Sequence, residues 1–528
     1  MAIKLATPGV YIEERSAFPN SVAAVPTAVP AFIGYTEKTT RNGQSLLHKP
    51  VRINSLTDYL SIFGGGFSAS FDVKETSGAE FDVSIGGKNY QVVPATQARF
   101  ILFESIRLYF ANGGGTCYIV SAGGYYEEAK PQAPRPEVKD KDGKPVPAPA
   151  ASAPTAPKPN QLSKKALEDG LAALILEDEP TMVVIPEAVM LEKADCYALQ
   201  QAMLMHAGYK MRDRFALLDV YDGFQARSYD EKDVITQFRE GVGNNFLDFG
   251  AAYYPWVYTS IVQNEEVSFR NLANLTQLAD LLTQEATEAG GDAKRTEEIK
   301  TEVAKLKNNP GDSLSQTLKV ISPAYKVILE KVKMQLNILP PSAGMAGVYT
   351  ATDNTRGVWK APANVGFNSV ITPVVKLTHE DQEDLNVTVT GKSVNAIRTF
   401  TGEGPVVWGA RTLDGNSQDW RYVNVRRTMI YIEQSIKFAA KAYVFEPNTS
   451  ATWVLVRSMI SSFLNDLWKQ GGLVGLTPTD AYEVLIGLGS TMTPNDILDG
   501  VMRITVKVAV SRPAEFIVIT FEQKMQES

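Results

Sequence analysis

The end of this chain limits its fold more tightly than any other stretch. In Met502, Ile504, Val506, Val508 and Val510 every second residue is apolar, with Arg503, Thr505 and Lys507 between them, so one face of a strand is buried. After Arg512-Pro513 the run Glu515-Phe516-Ile517-Val518-Ile519-Thr520-Phe521-Glu522 is apolar on both faces. Such a strand needs a layer above and below it, which the end of a chain cannot supply for itself. Either it sits centrally in its own sheet or it enters the sheet of another subunit.

The length of 528 residues is too great for one ordinary core and implies three or four packed units. Hydrophobic residues at 44% and charged residues at 21% are those of a folded globular chain. No run of 18 apolar residues occurs, and Met1–Pro8 lacks the apolar stretch of a signal peptide, so a cytoplasmic start without membrane insertion is expected. Two cysteines, Cys117 and Cys196, and three scattered histidines, His48, His206 and His379, supply neither a disulfide framework nor a metal site. A net charge of −7 argues against nucleic acid as a partner.

Residues 1–22 hold a turn signal and a short β-prone run, Thr7-Pro8-Gly9-Val10-Tyr11-Ile12-Glu13-Glu14, and read as an extended arm or an edge strand. Short apolar runs then alternate with amphipathic stretches, the pattern of a mostly parallel α/β sheet with crossover helices. The expected strands are Ala31–Tyr35, Thr116–Val120, Met182–Ile185, Phe215–Asp219 and Ala251–Tyr254, and the expected helices are Gln97–Phe110, Ser163–Leu176, Leu191–His206 and Asp233–Glu240. A hairpin turning at Gly86-Gly87 is inserted within 65–95. Residues 131–160 hold nine prolines and read as a solvated loop. Residues 268–339 read as helical, with a break at Gly290-Gly291.

The character changes past Pro340-Pro341, and 341–500 is expected to form an α+β core domain following an outer α/β domain over 23–340. Met429, Ile432, Ile436, Ala439 and Tyr443 form one apolar helical stripe, and Trp453, Val456, Ile460, Phe463 and Leu467 form a second, stopped by Gly471-Gly472. Lys437 and Lys441 lie one turn apart off the first stripe, on a solvated face or facing an acidic partner. Residues 501–528 are expected to be C-terminal arm strands.

Catalytic and cofactor chemistry is poorly supplied. Gly391-Lys392-Ser393 imitates the end of a phosphate loop, but Asn386 stands where its first glycine belongs, and the strand-like Val387-Thr388-Val389-Thr390 precedes it. Asn112-Gly113-Gly114-Gly115 leads into a strand rather than out of one, so it is no dinucleotide loop. Cys117 reads as core, and Cys196 and His206 are nearly three turns apart. Asp219 and Asp222 are the acids an α/β enzyme would place at its strand ends.

These residues resemble the contractile tail sheath proteins of phage tails, R-type bacteriocins and extracellular contractile injection systems. The resemblance rests on Thr7–Glu14, Phe32-Ile33-Gly34-Tyr35-Thr36 and Tyr109–Tyr118, and it is strongest in Ala346-Gly347-Val348-Tyr349 and Arg356–Asn364. It continues in Asn395–Arg398, Val407–Thr412 and Trp420–Arg427, covering roughly the first 125 residues and nearly all of 340–528.

The resemblance implies a structural subunit without cofactor or metal, stacked as six-fold rings around an inner tube and contracting to drive that tube. Its partners would be further copies of itself, the tube protein, the baseplate and the tail terminator. It would assemble in the cytoplasm and be carried in a virion or a released particle. The arms of this family add strands to neighbouring sheets, which makes Val10, Tyr11, Ile12, Glu13, Ile504, Val506, Val508, Phe516, Ile517, Val518 and Ile519 the expected interface residues, and Lys437 and Lys441 the tube-facing ones. The competing classes are a phosphate-handling α/β enzyme and a non-contractile shell protein or adhesin.

Overall fold

In the computed structural model, which describes residues 22–96, 98–127, 158–289, 293–308, 311 and 313–519, the five expected apolar runs lie side by side in one sheet. The order of its nine strands is Val365–Gly366, Gly404–Val407, Asn395–Phe400, Gly250–Tyr254, Phe215–Asp219, Met182–Val184, Pro30–Thr36, Cys117–Gly124 and Pro50–Ile53. The six from Asn395–Phe400 to Cys117–Gly124 run parallel, and the flanking strands are antiparallel. Parallel strands covered by helices are buried on both faces, which is why Pro30–Thr36 and Phe215–Asp219 are buried along their whole length.

The described residues separate into two compact units, those of 28–356 with 361–423 and those of 22–27 with 357–360 and 424–519. The expected boundary at 340/341 is corrected, because it falls inside the larger unit. Pro340-Pro341 marks a local turn, but Ser342–Arg356 that follows is a helix of the larger unit's core, and Asn395–Phe400 and Gly404–Val407 extend its sheet.

The helix Ser342–Arg356 explains one of the sequence signatures. Its run Ala343-Gly344-Met345-Ala346-Gly347 lets it press against the helix Leu102–Ala111. A β-carbon on Gly347 would stand 2.5 Å from the Tyr109 carbonyl oxygen and 2.8 Å from Asn112 Cβ. Asn112 ties the end of its helix to the neighbouring chain, donating from Nδ2 to the Leu108 and Asn368 carbonyls and accepting from the Asn368 N–H. The Asn112-Gly113 turn is therefore a helix stop, as expected, with Gly113 at φ 87°.

The helix expected over Gln97–Phe110 begins at Leu102. Glu187, fully buried, sets that start by accepting N–H bonds from Ile101 and Leu102 and another from Tyr35. Burial pushes its carboxyl up to about 8. The inserted hairpin forms as Val83–Ile85 and Lys88–Pro94, with Gly86 and Gly87 at φ 66° and 70°, and Phe71–Thr76 adds a third strand. Its apolar face packs on Leu275–Glu288 and Pro323–Leu336 in a separate hydrophobic cluster. The expected loop over 131–160 and the break at Gly290-Gly291 lie largely or wholly outside the described residues.

Val387–Thr390 is corrected from strand-like to a turn after the helix His379–Asn386, with Val387 and Val389 exposed, since among the described residues no strand pairs with it. Lys392 is packed away, donating from Nζ to the Arg239 carbonyl at 2.5 Å. No helix among the described residues is long and apolar enough to cross a membrane.

Candidate assembly interface

The smaller unit is built on the two expected helices, Val423–Ala440 and Ser450–Lys469. Their stripes share one apolar cluster, in which Ile432, Val456, Ile460, Leu464 and Leu467 are buried and Ile436, Ala439, Tyr443, Trp453 and Phe463 pack at its margin. The second helix ends at the glycine pair. Gly472 N–H donates to the Leu467 carbonyl and Gly471 N–H to that of Trp468, with Gly471 at φ 84°. Residues 22–27 belong to this unit, Val22 against the cluster and the Thr27 carbonyl accepting from Arg427 Nη2.

A two-stranded antiparallel sheet closes the cluster, Tyr482–Leu485 paired with Thr505–Val508. Val484 and Ile486 are buried in it and Ile504, Val506, Val508 and Val510 are half-buried against it, while Glu483 and Lys507 form an ion pair of 2.9 Å on the solvent side. The expected alternation is thus correct, but the expectation that 502–510 is a donated arm strand is corrected. It is a home strand, because its apolar face completes its own unit's core.

Among the described residues the strand has one bonded edge and one open edge. Ala509 N–H donates to the Ala481 carbonyl, the Ala509 carbonyl accepts from Val474 N–H, and Ser511 N–H donates to the Gly472 carbonyl. Main-chain groups of alternate residues point to alternate edges, so Thr505, Lys507, Ala509 and Ser511 serve the home ladder and Ile504, Val506, Val508 and Val510 face the other way. Among the described residues no third strand pairs there. The outer edge of Tyr482–Leu485 differs, since the Ile486 carbonyl already accepts from Arg457 Nη2.

Beyond Ser511 the described chain forms no strand, and Phe516, Ile517, Val518 and Ile519 are 68%, 78%, 89% and 69% exposed. Four consecutive bare apolar residues form a surface that water disfavours. Val10, Tyr11, Ile12 and Glu13 lie outside the described residues. Lys437 and Lys441 are exposed, and Lys441 Nζ stands 4.6 Å above the Phe438 ring. The open edge itself was missed in the sequence, where alternation marks a strand but not which of its edges is bonded.

The acids nominated for catalysis are elsewhere, in the larger unit. Asp219 is buried and both its oxygens accept from Ser342, one from the N–H at 2.8 Å and one from the hydroxyl at 2.5 Å, and burial pushes its carboxyl up to about 7. Asp222 accepts from Gln225 Nε2 at φ 53°. Cys117 and Cys196 are buried free thiols pushed up by burial, and His206, beside Arg214, is pushed down to about 3 by burial and that cation. Among the described residues no group of three or more His, Cys, Asp or Glu is placed to hold a metal ion.

Known proteins share this architecture. Residues 416–524, which include the two-stranded sheet, match the phage tail sheath C-terminal domain. The tail sheath protein of Vibrio phage KVP40 is 27% identical over 188 residues, 35% of this chain and 26% of that protein, so the alignment spans about a quarter of the relative's length. Two solved structures are similar from end to end. The sheath complex of an extracellular contractile injection system, PVC, in its contracted state has a TM-score of 0.58 at 27% identity, covering 99% of both chains. The contracted helical sheath of the anti-feeding prophage has a TM-score of 0.57 at 29% identity, covering 98% of this chain and 99% of the other. The chain is thus similar to contractile tail sheath proteins, in sequence over its C-terminal domain and in fold over nearly its whole length.

Proposed function

We propose that this chain is the structural subunit of a contractile sheath, whose copies stack as six-fold rings around an inner tube and are tied together by strands exchanged between neighbours. One observation carries the reading: among the described residues the smaller unit holds an open sheet edge at Ile504–Val510 and also a bare apolar segment at Phe516–Ile519. A subunit made to stay alone has no use for either. Each is a surface that a neighbouring copy can cover.

Magnitudes say which part of such a junction dominates. Five or six ladder bonds contribute roughly 3–9 kcal/mol net, and fixing five residues of backbone costs roughly 5–10 kcal/mol. These terms nearly cancel. Burying Phe516–Ile519 adds about 1.5–3 kcal/mol for each side chain, and that term makes the junction favourable. Such a junction persists while the larger units slide and rotate, so the sheath shortens without coming apart. Contraction is downhill when contacts between the larger units are better in the short state, with the long state held by tube and baseplate.

In this reading Lys437 and Lys441 face the tube, further copies, the tube protein, the baseplate and the tail terminator are the partners, and the machine assembles in the cytoplasm before leaving as part of a particle. No catalytic step is required of the chain.

Electron microscopy of two shortened chains, one lacking residues 1–21 and one lacking 512–528, tests the proposal. Both leave the home ladder whole, and neither assembles long sheaths in the proposed mechanism. Normal cylinders from either chain exclude strand exchange as the link.

A further inference from the structure

We infer that Glu104 is a proton-operated latch at the root of the hairpin-and-helix insertion, holding the Gly64–Gly66 loop closed while its carboxyl is protonated and releasing the loop when it ionises. The insertion, which includes Phe71–Pro94 and the helices from Leu275 to Leu336, has its own hydrophobic cluster. It joins the nine-stranded sheet through the segments 64–70, 95–101, 260–267 and 337–339. Glu104, in the first turn of Leu102–Ala111, lies where they meet. A β-carbon on Gly66 would stand 2.8 Å from Glu104 Oε1, so the loop rests on the carboxyl. The same loop is tied at Gly65, whose N–H donates to Glu37 Oε2 at 2.6 Å and whose carbonyl accepts from the Tyr125 hydroxyl at 3.2 Å. The two cations beside Glu104 hold the other segments. Arg99 Nη2 donates to the Gln335 and Ile338 carbonyls, and Arg107 donates from Nη2 to the Ile261 carbonyl and pairs with Glu266 at 2.8 Å.

Glu104 Oε2 and the Tyr59 hydroxyl are enclosed here, and among the described residues neither has a hydrogen-bond partner. A carboxylate so placed has lost its water without gaining donors, a cost that a neutral carboxyl largely escapes. The groups facing this pocket are Arg99 and Arg107, Tyr59 on the helix Leu56–Phe63, Glu187 in the turn Pro186–Met190, Glu37 and Tyr125 just past their strands, and Glu266. Burial, opposed by its own N–H, Arg107 and Arg99 and aided by Glu266, lifts the Glu104 carboxyl from 4.5 to about 7. Glu187, raised to about 8, is fixed by its three N–H bonds and lies deeper. Lifting the loop returns Glu104 to water and to its ordinary value. The open form therefore binds fewer protons, and it gains on the closed form as pH rises from about 4.5 to 7 and levels off above.

Hydrogen exchange of the full, unassembled chain tests this, read by mass spectrometry on a peptide over 60–70 and corrected for the intrinsic pH dependence of exchange. The opening constant of that segment should rise about 50–100-fold between pH 5 and 8. Peptides from Pro323–Leu336, in the insertion's core, should stay protected throughout. Glu104→Gln keeps the shape of the neutral carboxyl and should abolish the rise. Gly66→Ala directs a methyl group at Glu104 Oε1 and Phe103, and should open the segment already at pH 5. A flat profile in the unaltered chain overturns the latch, as does an equal rise in Glu104→Gln or full protection of Gly66→Ala at pH 5. A rise shared by Pro323–Leu336 also overturns it, because the event is then general unfolding.

Discussion

Asp219, at the end of a central strand, accepts both the N–H and the hydroxyl of Ser342, the first residue of the buried helix Ser342–Arg356. An acid at a strand end, the position where an α/β enzyme keeps its chemistry, is here the fastening of a helix to a sheet. Its carboxyl is raised from 3.8 to about 7 by burial. Between pH about 4 and 7 the folded chain therefore keeps a proton that the unfolded chain has released, and stability falls as pH rises through that window and levels off above it. Asp219→Asn keeps one acceptor for the N–H and offers a donor to the hydroxyl, with nothing to titrate. Chemical unfolding from pH 4.5 to 8 should show the unaltered chain losing up to roughly 3 kcal/mol relative to this variant. Glu104 and Glu187, raised to about 7 and about 8, titrate in the same direction in both proteins and cancel in the comparison.

Gly347 predicts a stability loss of a different origin. A methyl group there would overlap the Tyr109 carbonyl oxygen, and backbone on both sides leaves it nowhere to go. Gly347→Ala should cost about 1–3 kcal/mol, read as a lowered unfolding midpoint. Gly366, with open space where its β-carbon would stand, is the control, and Gly366→Ala should leave the midpoint unchanged.

The central sheet was legible because its strands are short apolar runs with helical patterns between them, so Ala31–Tyr35, Phe215–Asp219 and Ala251–Tyr254 stand out by composition alone. What misled was punctuation and local propensity. Pro340-Pro341 looks like a domain boundary, but whether a helix after a turn belongs to the preceding core depends on distant partners such as Tyr253, whose hydroxyl bonds that of Tyr349 at 2.7 Å. Val387–Thr390 has β-prone residues and, among the described residues, no strand to pair with. At the C-terminus, alternation identified the buried face of Thr505–Val508, yet the bonded edge depends on Gly472, Val474 and Ala481, which no local pattern marks.

Val518 separates assembly from folding. It is 89% exposed, so Val518→Pro removes one N–H from the segment without touching the subunit's core. The unfolding midpoint of the unassembled chain should be unchanged while sheath formation is lost in electron micrographs. A lowered midpoint would mean that the segment is packed at home.

The two edges of Thr505–Val508 allow a proline test one residue apart. The N–H of Lys507 belongs to the home ladder and that of Val506 to the open edge, a parity set by the bond from Ala509 to Ala481. Lys507→Pro removes a home bond and directs a ring at Glu483, so it should destabilise the unassembled chain by about 1–3 kcal/mol. Val506→Pro leaves that bond in place. It loses some apolar packing against the helices, which Val506→Ala measures separately, but its main effect should be on the concentration needed to assemble. The ratio of assembly defect to stability defect is therefore large for Val506→Pro and small for Lys507→Pro. Equal ratios would mean that both edges are satisfied within one copy, and the open edge would then have no part in joining subunits.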